Sequence, residues 1–213
     1  MSDPYVDPVT GVLRNRLAIA DHDQLARAEA EFAYHAEVRL YAEGVRFSRY
    51  DLPALQAVHR QLFAEIYDWA GELRRVDLGK GATTFARARH LRSAAEQVFR
   101  QLAHQNQLRN LAPPRFARGA GRLLADLNAL HPFREGNGRA QRVFLQLVAL
   151  DAGYQLRWAD VDPAENVAVS AAAMADPDAF VPLLERILVP ASVELPTDVL
   201  RLSRPDPPTI DGP

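Results

Sequence analysis

The stretch that decides the fold of this chain is His131-Pro132-Phe133-Arg134-Glu135-Gly136-Asn137-Gly138-Arg139-Ala140-Gln141-Arg142. Pro132 disfavours a helical conformation for the residue before it, so a helix that arrives from the N-terminal side is expected to end at His131. Gly136 and Gly138 allow backbone conformations with positive φ and the close approach of a ligand. The stretch therefore predicts a tight loop that joins two helices.

The loop has the features of a phosphate site. Successive N–H groups around Gly136, Asn137 and Gly138 can form a concave site for anions. The helix that follows adds its first N–H groups and the positive end of its dipole. Arg139 and Arg142 stand three positions apart, so both guanidinium groups can lie on one helix face and bind phosphate oxygens in pairs.

Two further side chains suggest chemistry at this site. Glu135 is a hard oxygen ligand of the kind that Mg²⁺ uses together with phosphate oxygens. His131 has an ordinary pKa of about 6.5 and can accept a proton near neutral pH. Taken together, the residues predict an enzyme that binds ATP with Mg²⁺ and transfers a phosphate-containing group.

Simpler interpretations exist for each residue alone. A histidine at a helix end often interacts only with the helix dipole, and Gly-Asn-Gly is often an ordinary turn. Glu135 and Arg139 could form an ion pair at i,i+4 spacing. All of these would have to hold at once for the stretch to lack a catalytic role.

The chain on both sides of the loop has helical periodicity. Residues 143–150 are apolar nearly all round, which predicts a buried central helix that holds the loop rigidly. His59 lies beside an apolar helix face and needs no more than a structural role. We expect a mainly α fold, a helical bundle around the central helix, with amphipathic segments at about residues 21–44, 52–71, 90–108, 114–130, 162–175 and 178–188.

Residues 73–88 interrupt the helical pattern. Short apolar segments flank Gly79-Lys80-Gly81, which predicts a β-hairpin, with an ordinary connecting loop as the alternative. Such a hairpin is only marginally stable alone, so it is expected to pack on the helices. Its exposed edge could pair with an extended peptide.

Composition limits the remaining possibilities. The 213 residues carry a net charge of −2, and 48% are hydrophobic, which suits one domain and gives no indication of nucleic acid or an anionic membrane as partner. Cysteine is absent, which excludes disulfides and fits a reducing compartment. We find no apolar signal segment and no run of 18 apolar residues, and we expect a cytoplasmic protein without a membrane span. The expected organisation is an irregular segment at residues 1–20, one domain at 21–190 and a proline-rich tail at 191–213.

The quoted stretch matches the signature of the Fic family, His-x-Phe-x-Asp/Glu-Gly-Asn-Gly-Arg-x-x-Arg, at every specified position. The resemblance covers about residues 3–190. It includes Phe63-Ala64-Glu65-Ile66-Tyr67-Asp68-Trp69-Ala70-Gly71 followed by Arg74, residues 80–86 as the target-docking hairpin called the flap, and an N-terminus similar to that of bacterial Fic toxins, including some that precede secretion domains.

The resemblance implies a bacterial protein adenylyltransferase, which transfers AMP from ATP to a Tyr, Ser or Thr hydroxyl of a protein. It makes His131 the base, Glu135 the Mg²⁺ ligand, and Lys80, Thr83 and Phe85 the residues that align the target. It assigns ATP binding to Gly136, Asn137, Gly138, Arg139 and Arg142. Doc-type relatives carry Lys at the position of Gly138 and act as kinases, so Gly138 favours AMP transfer; a kinase and an inactive binding module are the alternatives.

The resemblance also suggests partners. Some bacterial Fic toxins modify type II topoisomerases, and delivery into another cell by a secretion system is known in the family. Many members are inhibited by a helix with Ser/Thr-x-x-x-Glu-Gly/Asn, whose glutamate pairs with the second motif arginine. No such motif occurs in this sequence. We therefore expect a separate small antitoxin protein to supply that glutamate, docking beside the N-terminal helices and reaching Arg142.

Overall fold

The computed structural model describes residues 3–80 and 83–191. Within these ranges the chain is mainly helical, as the sequence predicts. The helices are α1 (His22–Ala42), α2 (Leu52–Phe63), α3 (Leu91–His104), α4 (Pro113–Leu130), α5 (Asn137–Asp151), α6 (Pro163–Ala172) and α7 (Val181–Ile187). The strands are β1 (Gly79–Lys80), β2 (Thr83–Thr84), β3 (Tyr154–Leu156) and β4 (Leu188–Pro190).

Aspartate side chains fix the starts of three helices. The carboxylate of Asp21 accepts a hydrogen bond from the N–H of Gln24 at 2.9 Å, and Asp51 and Asp162 cap α2 and α6 in the same way. Each cap satisfies an N–H group that has no partner inside its own helix. These local signals explain why the predicted starts of α1, α2 and α6 agree with the structure.

The centre of the bundle is α5. It packs against α2, α4 and β3, and all of its apolar residues except Leu150 are buried almost completely: Ala140, Val143, Phe144, Leu145, Leu147, Val148 and Ala149. A helix surrounded on all sides has no polar face to present to water. The predicted fold, a helical bundle around a buried central helix, is therefore confirmed.

The predicted hairpin is present but short. β1 and β2 pair antiparallel, with Gly79 opposite Thr84 and Lys80 opposite Thr83. The N–H of Ala86 donates to the carbonyl of Ala129 in α4 at 3.0 Å, which attaches the base of the hairpin to the helical body. The apolar residues expected to extend the strands on either side lie outside them.

The predictions for the C-terminal part need correction. The last helix is Val181–Ile187 and not 178–188, and Leu188, the residue predicted to end it, begins strand β4 (Leu188–Pro190). Val189 pairs with Gln155 in a small antiparallel sheet of β3 and β4 that the sequence pattern did not reveal. Strands of three residues have no measurable periodicity, and their partners lie far apart in sequence.

Other boundaries differ less. α2 ends at Phe63 and continues as turns to Gly71, and a short 3₁₀ turn, Asn106–Leu108, follows α3. Residues 3–20 contain turns and one bridge between Val6 and Leu13. The predicted tail lies outside the described residues from position 192 onward. No helix within the described ranges is both long enough and apolar enough to cross a bilayer.

Candidate active site

His131 stands at the C-terminal end of α4, where the sequence places it. It adopts a left-handed conformation with φ 45° and ψ 62°, and its N–H donates to the carbonyl of Leu127 at 3.0 Å. The ring of Phe85, just after β2, stacks on the imidazole with 3.9 Å between ring centroids. The hairpin therefore contacts the proposed base directly, and Phe85 belongs to its immediate surroundings.

Arg74 joins the end of α4 to the hairpin. The residue is only 2% exposed. Its guanidinium donates to the carbonyls of His131 at 2.7 Å, Val76 at 2.6 Å and Leu130 at 3.2 Å. It also donates to the carbonyl of Ala86. Burial lowers the pKa of Arg74 from its usual value, yet an arginine remains charged in proteins. The sequence marked Arg74 as a point of family resemblance without revealing this positioning role.

Asn137 closes the loop by a reciprocal pair of hydrogen bonds. Its side-chain amide donates to the carbonyl of Phe133 and its oxygen accepts from the Phe133 N–H, both at 2.9 Å. The side-chain amide is buried and forms its hydrogen bonds within the loop. The group of Asn137 that can bind a phosphate is therefore its backbone N–H, at the start of α5. Gly138 lies in the same first turn.

Gly136 precedes α5 with φ 75° and ψ 10°, a conformation that favours glycine. A Cβ atom at this position would lie 2.4 Å from Cε2 of Phe63, a side chain that is fully buried. Two separate constraints, backbone conformation and space, therefore require glycine here. The loop backbone lies directly against the core.

His59 supports the loop from α2. Its Nδ1 accepts from the N–H of Gly71 at 2.8 Å, so Nε2 carries the proton and donates to the carbonyl of Glu135 at 2.9 Å. The ring stacks on Phe133 with 3.8 Å between centroids. Burial lowers the pKa of His59 to about 3, so the imidazole is neutral. The sequence indicated only a structural histidine, and the structure shows which backbone it positions.

Arg139 is held by a carboxylate from α1. Its Nη2 lies 2.5 Å from Oε2 of Glu29 and 3.9 Å from Oε1 of Glu135. The guanidinium also lies over the ring of Phe63, 4.9 Å from its centroid. The hydroxyl of Tyr67 donates to Glu29. Glu29 was not among the predicted site residues, since nothing in the spacing of α1 separates it from the other acidic residues of that helix.

Arg142 also lies near α1. Its charge lowers the pKa of Tyr41, although burial, the larger effect, raises that pKa well above its usual value. The hydroxyl of Tyr41 donates to Glu37 at 3.0 Å. Both motif arginines thus lie beside the same helix, in keeping with their three-residue spacing on α5.

The donor set around Glu135 fits Mg²⁺ held mainly by a substrate. No cluster of three or more metal-ligating side chains occurs among the residues that the structure describes. Mg²⁺ commonly uses one or two carboxylates together with phosphate oxygens. The Glu135 carboxylate, whose side chain is 26% exposed, accepts from the N–H of Gly136 at 2.8 Å and so lies at the start of α5.

Comparison with known proteins agrees with this geometry. The Fic/DOC family profile matches residues 49–149. Protein adenylyltransferase VbhT of Bartonella schoenbuchensis is 41% identical over 169 residues, which are 79% of this chain and 35% of that protein. The probable protein adenylyltransferase Fic of Escherichia coli K12 is 35% identical over 188 residues, 87% of this chain and 92% of its own length. The chain thus spans about a third of VbhT and nearly all of the E. coli relative.

A solved structure gives the same fold. The BepC protein of Bartonella tribocorum, a VirB-translocated effector crystallised with AMPPNP, superposes with a TM-score of 0.81 over 88% of this chain and 97% of that chain, at 23% identity. The fold and the complete loop define a Fic-fold protein. The chain belongs to the Fic/DOC family.

Proposed function

We propose that this chain is a protein adenylyltransferase that transfers AMP from ATP to a hydroxyl side chain of a protein. One observation carries the proposal: His131 at the end of α4 and the N-terminus of α5 share a single short loop, from residue 131 to 137. A proton acceptor and an anion site are thereby held together by two packed helices. Relatives named protein adenylyltransferases support the reaction class.

In this proposal the phosphates of ATP bind at the start of α5. The backbone N–H groups of Asn137 and Gly138 and the helix dipole favour negative charge there, while the N–H of Gly136 donates to the carboxylate of Glu135. Arg142 and Arg139 add guanidinium groups. The carboxylate of Glu29 lies 2.5 Å from Nη2 of Arg139, so Glu29 can orient Arg139 at the start of α5.

The reaction is a displacement at the α phosphorus. The hydroxyl oxygen of the target attacks that phosphorus while His131 takes the hydroxyl proton. The bond to the bridging oxygen breaks, and pyrophosphate leaves. Phe85 and Arg74 hold the imidazole in place, the first through its ring and the second through the carbonyl of His131. Mg²⁺, which Glu135 would hold, supplies charge neutralisation on the phosphate oxygens.

Labelled ATP tests the proposal. The chain is incubated with a bacterial lysate or with itself and with ATP labelled on the α or the γ phosphate. We expect protein-bound label from the α phosphate and none in a His131→Ala chain. Label from the γ phosphate would identify a kinase of the Doc type, and no label from either would identify a binding module.

The partners follow from the same proposal. Lys80, Thr83 and Phe85 of the flap align the target by strand addition, with a type II topoisomerase as the target to test first.

A separate antitoxin inhibits the chain by placing a glutamate at Arg142, beside α1. Arg139, three positions before Arg142 on α5, pairs with Glu29 of α1, which supports docking on that side. Residues 21–190 form the catalytic domain. Expression of the chain alone is expected to stop bacterial growth, and gain of activity on truncating either terminus would contradict control by a separate protein.

A further inference from the structure

A groove of about 450 Å³ lies beside the flap, outside the loop that carries the phosphate site. The segment after β2 forms one wall, and α3 and α4 form the other. Most of its lining is apolar: Phe85, Val98, Ala129, Leu130 and Met174. Apart from Phe85, the side chains named in this lining have no part in the proposed reaction.

One charged side chain lines the groove among the described residues, and it is Asp126 of α4. Within the ranges that the structure describes, no hydrogen bond or ion pair involves its carboxylate. Burial raises the pKa of Asp126 above its usual value. Other aspartates of this domain have arginine partners, such as Asp178 with Arg122 at 2.7 Å. Partial burial lowers the effective dielectric around the Asp126 carboxylate, so a cationic group that reaches it is attracted more strongly than at a fully exposed site.

The groove is continuous with the catalytic centre. Phe85 lines it and also stacks on the imidazole of His131 with 3.9 Å between ring centroids. Asp126 precedes His131 by five positions along α4, which corresponds to about 7.5 Å along the helix axis. An extended peptide advances about 3.3 Å per residue. A side chain that reaches Asp126 is therefore expected on a residue within about four positions of a hydroxyl at His131, since the reach of a Lys or Arg side chain adds to the axial separation.

We propose that this groove binds the segment of the protein target next to the modified hydroxyl, and that Asp126 selects a lysine or arginine in that segment. The inference rests on the proposed AMP transfer to a protein hydroxyl. The apolar stem of a lysine or arginine fits the apolar lining, while its charged head pairs with the Asp126 carboxylate. Asp126 is thus a specificity-determining residue and not a catalytic one.

The test uses a positional peptide library. Each peptide carries one Ser, Thr or Tyr, and the positions up to four residues before and after it are varied in turn. Incorporation of AMP from ATP labelled on the α phosphate is measured for the full chain, Asp126→Asn and Asp126→Lys. A matched control is Glu31→Lys, the same change of charge on an exposed residue of α1, a helix that does not line the groove. The readout is the ratio of labelling between basic and acidic peptides, which does not depend on overall rate.

We expect the unaltered chain and Glu31→Lys to favour Lys or Arg over Asp or Glu by at least about fivefold, which corresponds to about 1 kcal/mol, at one or more of the varied positions. Asp126→Asn should reduce the ratio to about one, and Asp126→Lys should invert it. A ratio unchanged by Asp126→Lys, or shifted equally by Glu31→Lys, would overturn the assignment. A chain that modifies itself but no peptide would also overturn the assignment, because the groove would then not bind a linear segment of the target. A chain that transfers AMP to nothing at all would remove the proposed function and this inference with it.

Discussion

Replacement of Gly136 by alanine tests the contact between the phosphate loop and the core. The new Cβ would lie 2.4 Å from Cε2 and 2.5 Å from Cζ of Phe63, and Phe63 is fully buried. The residue would also have to hold φ 75°. The left-handed conformation costs about 1–2 kcal/mol for a residue other than glycine, and the added methyl group in a packed site costs about 1–3 kcal/mol more. We expect Gly136→Ala to lose about 2–5 kcal/mol of unfolding free energy.

Gly153 provides a matched control. It has φ 85°, but a Cβ atom there would have no atom within 4 Å. In Gly153→Ala the free energy of unfolding should therefore fall only by the cost of the left-handed conformation, about 1–2 kcal/mol. Urea unfolding of both variants measures the two losses, and calorimetric titration with ATP and Mg²⁺ measures the effect on the site. Because the clash displaces the start of α5, Gly136→Ala should weaken ATP binding, whereas Gly153→Ala should not.

Two results would refute this reasoning. Equal losses of stability in the two variants would mean that the Phe63 ring does not resist a side chain at Gly136. Unchanged ATP affinity in Gly136→Ala would mean that the loop backbone is not part of the nucleotide site. The double variant Gly136→Ala, Phe63→Leu separates the steric clash from the backbone cost. The smaller leucine side chain relieves the clash, while the cost of the left-handed conformation remains.

Four further predictions concern the site. His131→Ala should lower AMP transfer by about 10²–10⁴-fold and leave ATP affinity within a few-fold, and an equal loss of affinity by calorimetry would contradict its role as base. Arg142→Ala should weaken ATP binding about tenfold or more, since charge-assisted bonds contribute about 1.5–3 kcal/mol each; unchanged affinity and rate would exclude it as a phosphate ligand. Lys80→Ala should impair modification of a protein target more than self-modification, whereas Phe85→Ala, which removes the ring stacked on His131, should reduce both in single-turnover assays; the opposite pattern would contradict this division of roles. The free energy of unfolding should fall as the pH decreases from about 6.5 toward 3, because His59 binds a proton in the unfolded chain but stays neutral in the folded one, where its pKa is about 3. The loss from this residue is about 2 kcal/mol by pH 5. An equally steep pH dependence in His59→Gln would exclude His59 as the cause.

The sequence by itself was sufficient for the parts of the protein that depend on local chemistry. Pro132 and the glycines predicted a loop between two helices, and the apolar run of residues 143–150 predicted the buried helix α5. Asp21, Asp51 and Asp162 are capping residues, and caps act within a few positions of the chain. These features could be predicted because each cause lies next to its effect in sequence.

The tertiary structure decided what supports that loop. His59, Arg74 and Glu29 contact residues 135, 131 and 139 from other elements, and nothing in their own neighbourhoods indicates which distant group they meet. The pairing of β3 with β4 was missed for the same reason. Asp126 is the single acidic residue of α4, and its place in a groove becomes visible only when α3 and the segment after β2 pack around it. Burial and long-range contacts, which arise only when the whole chain packs, give these residues their properties.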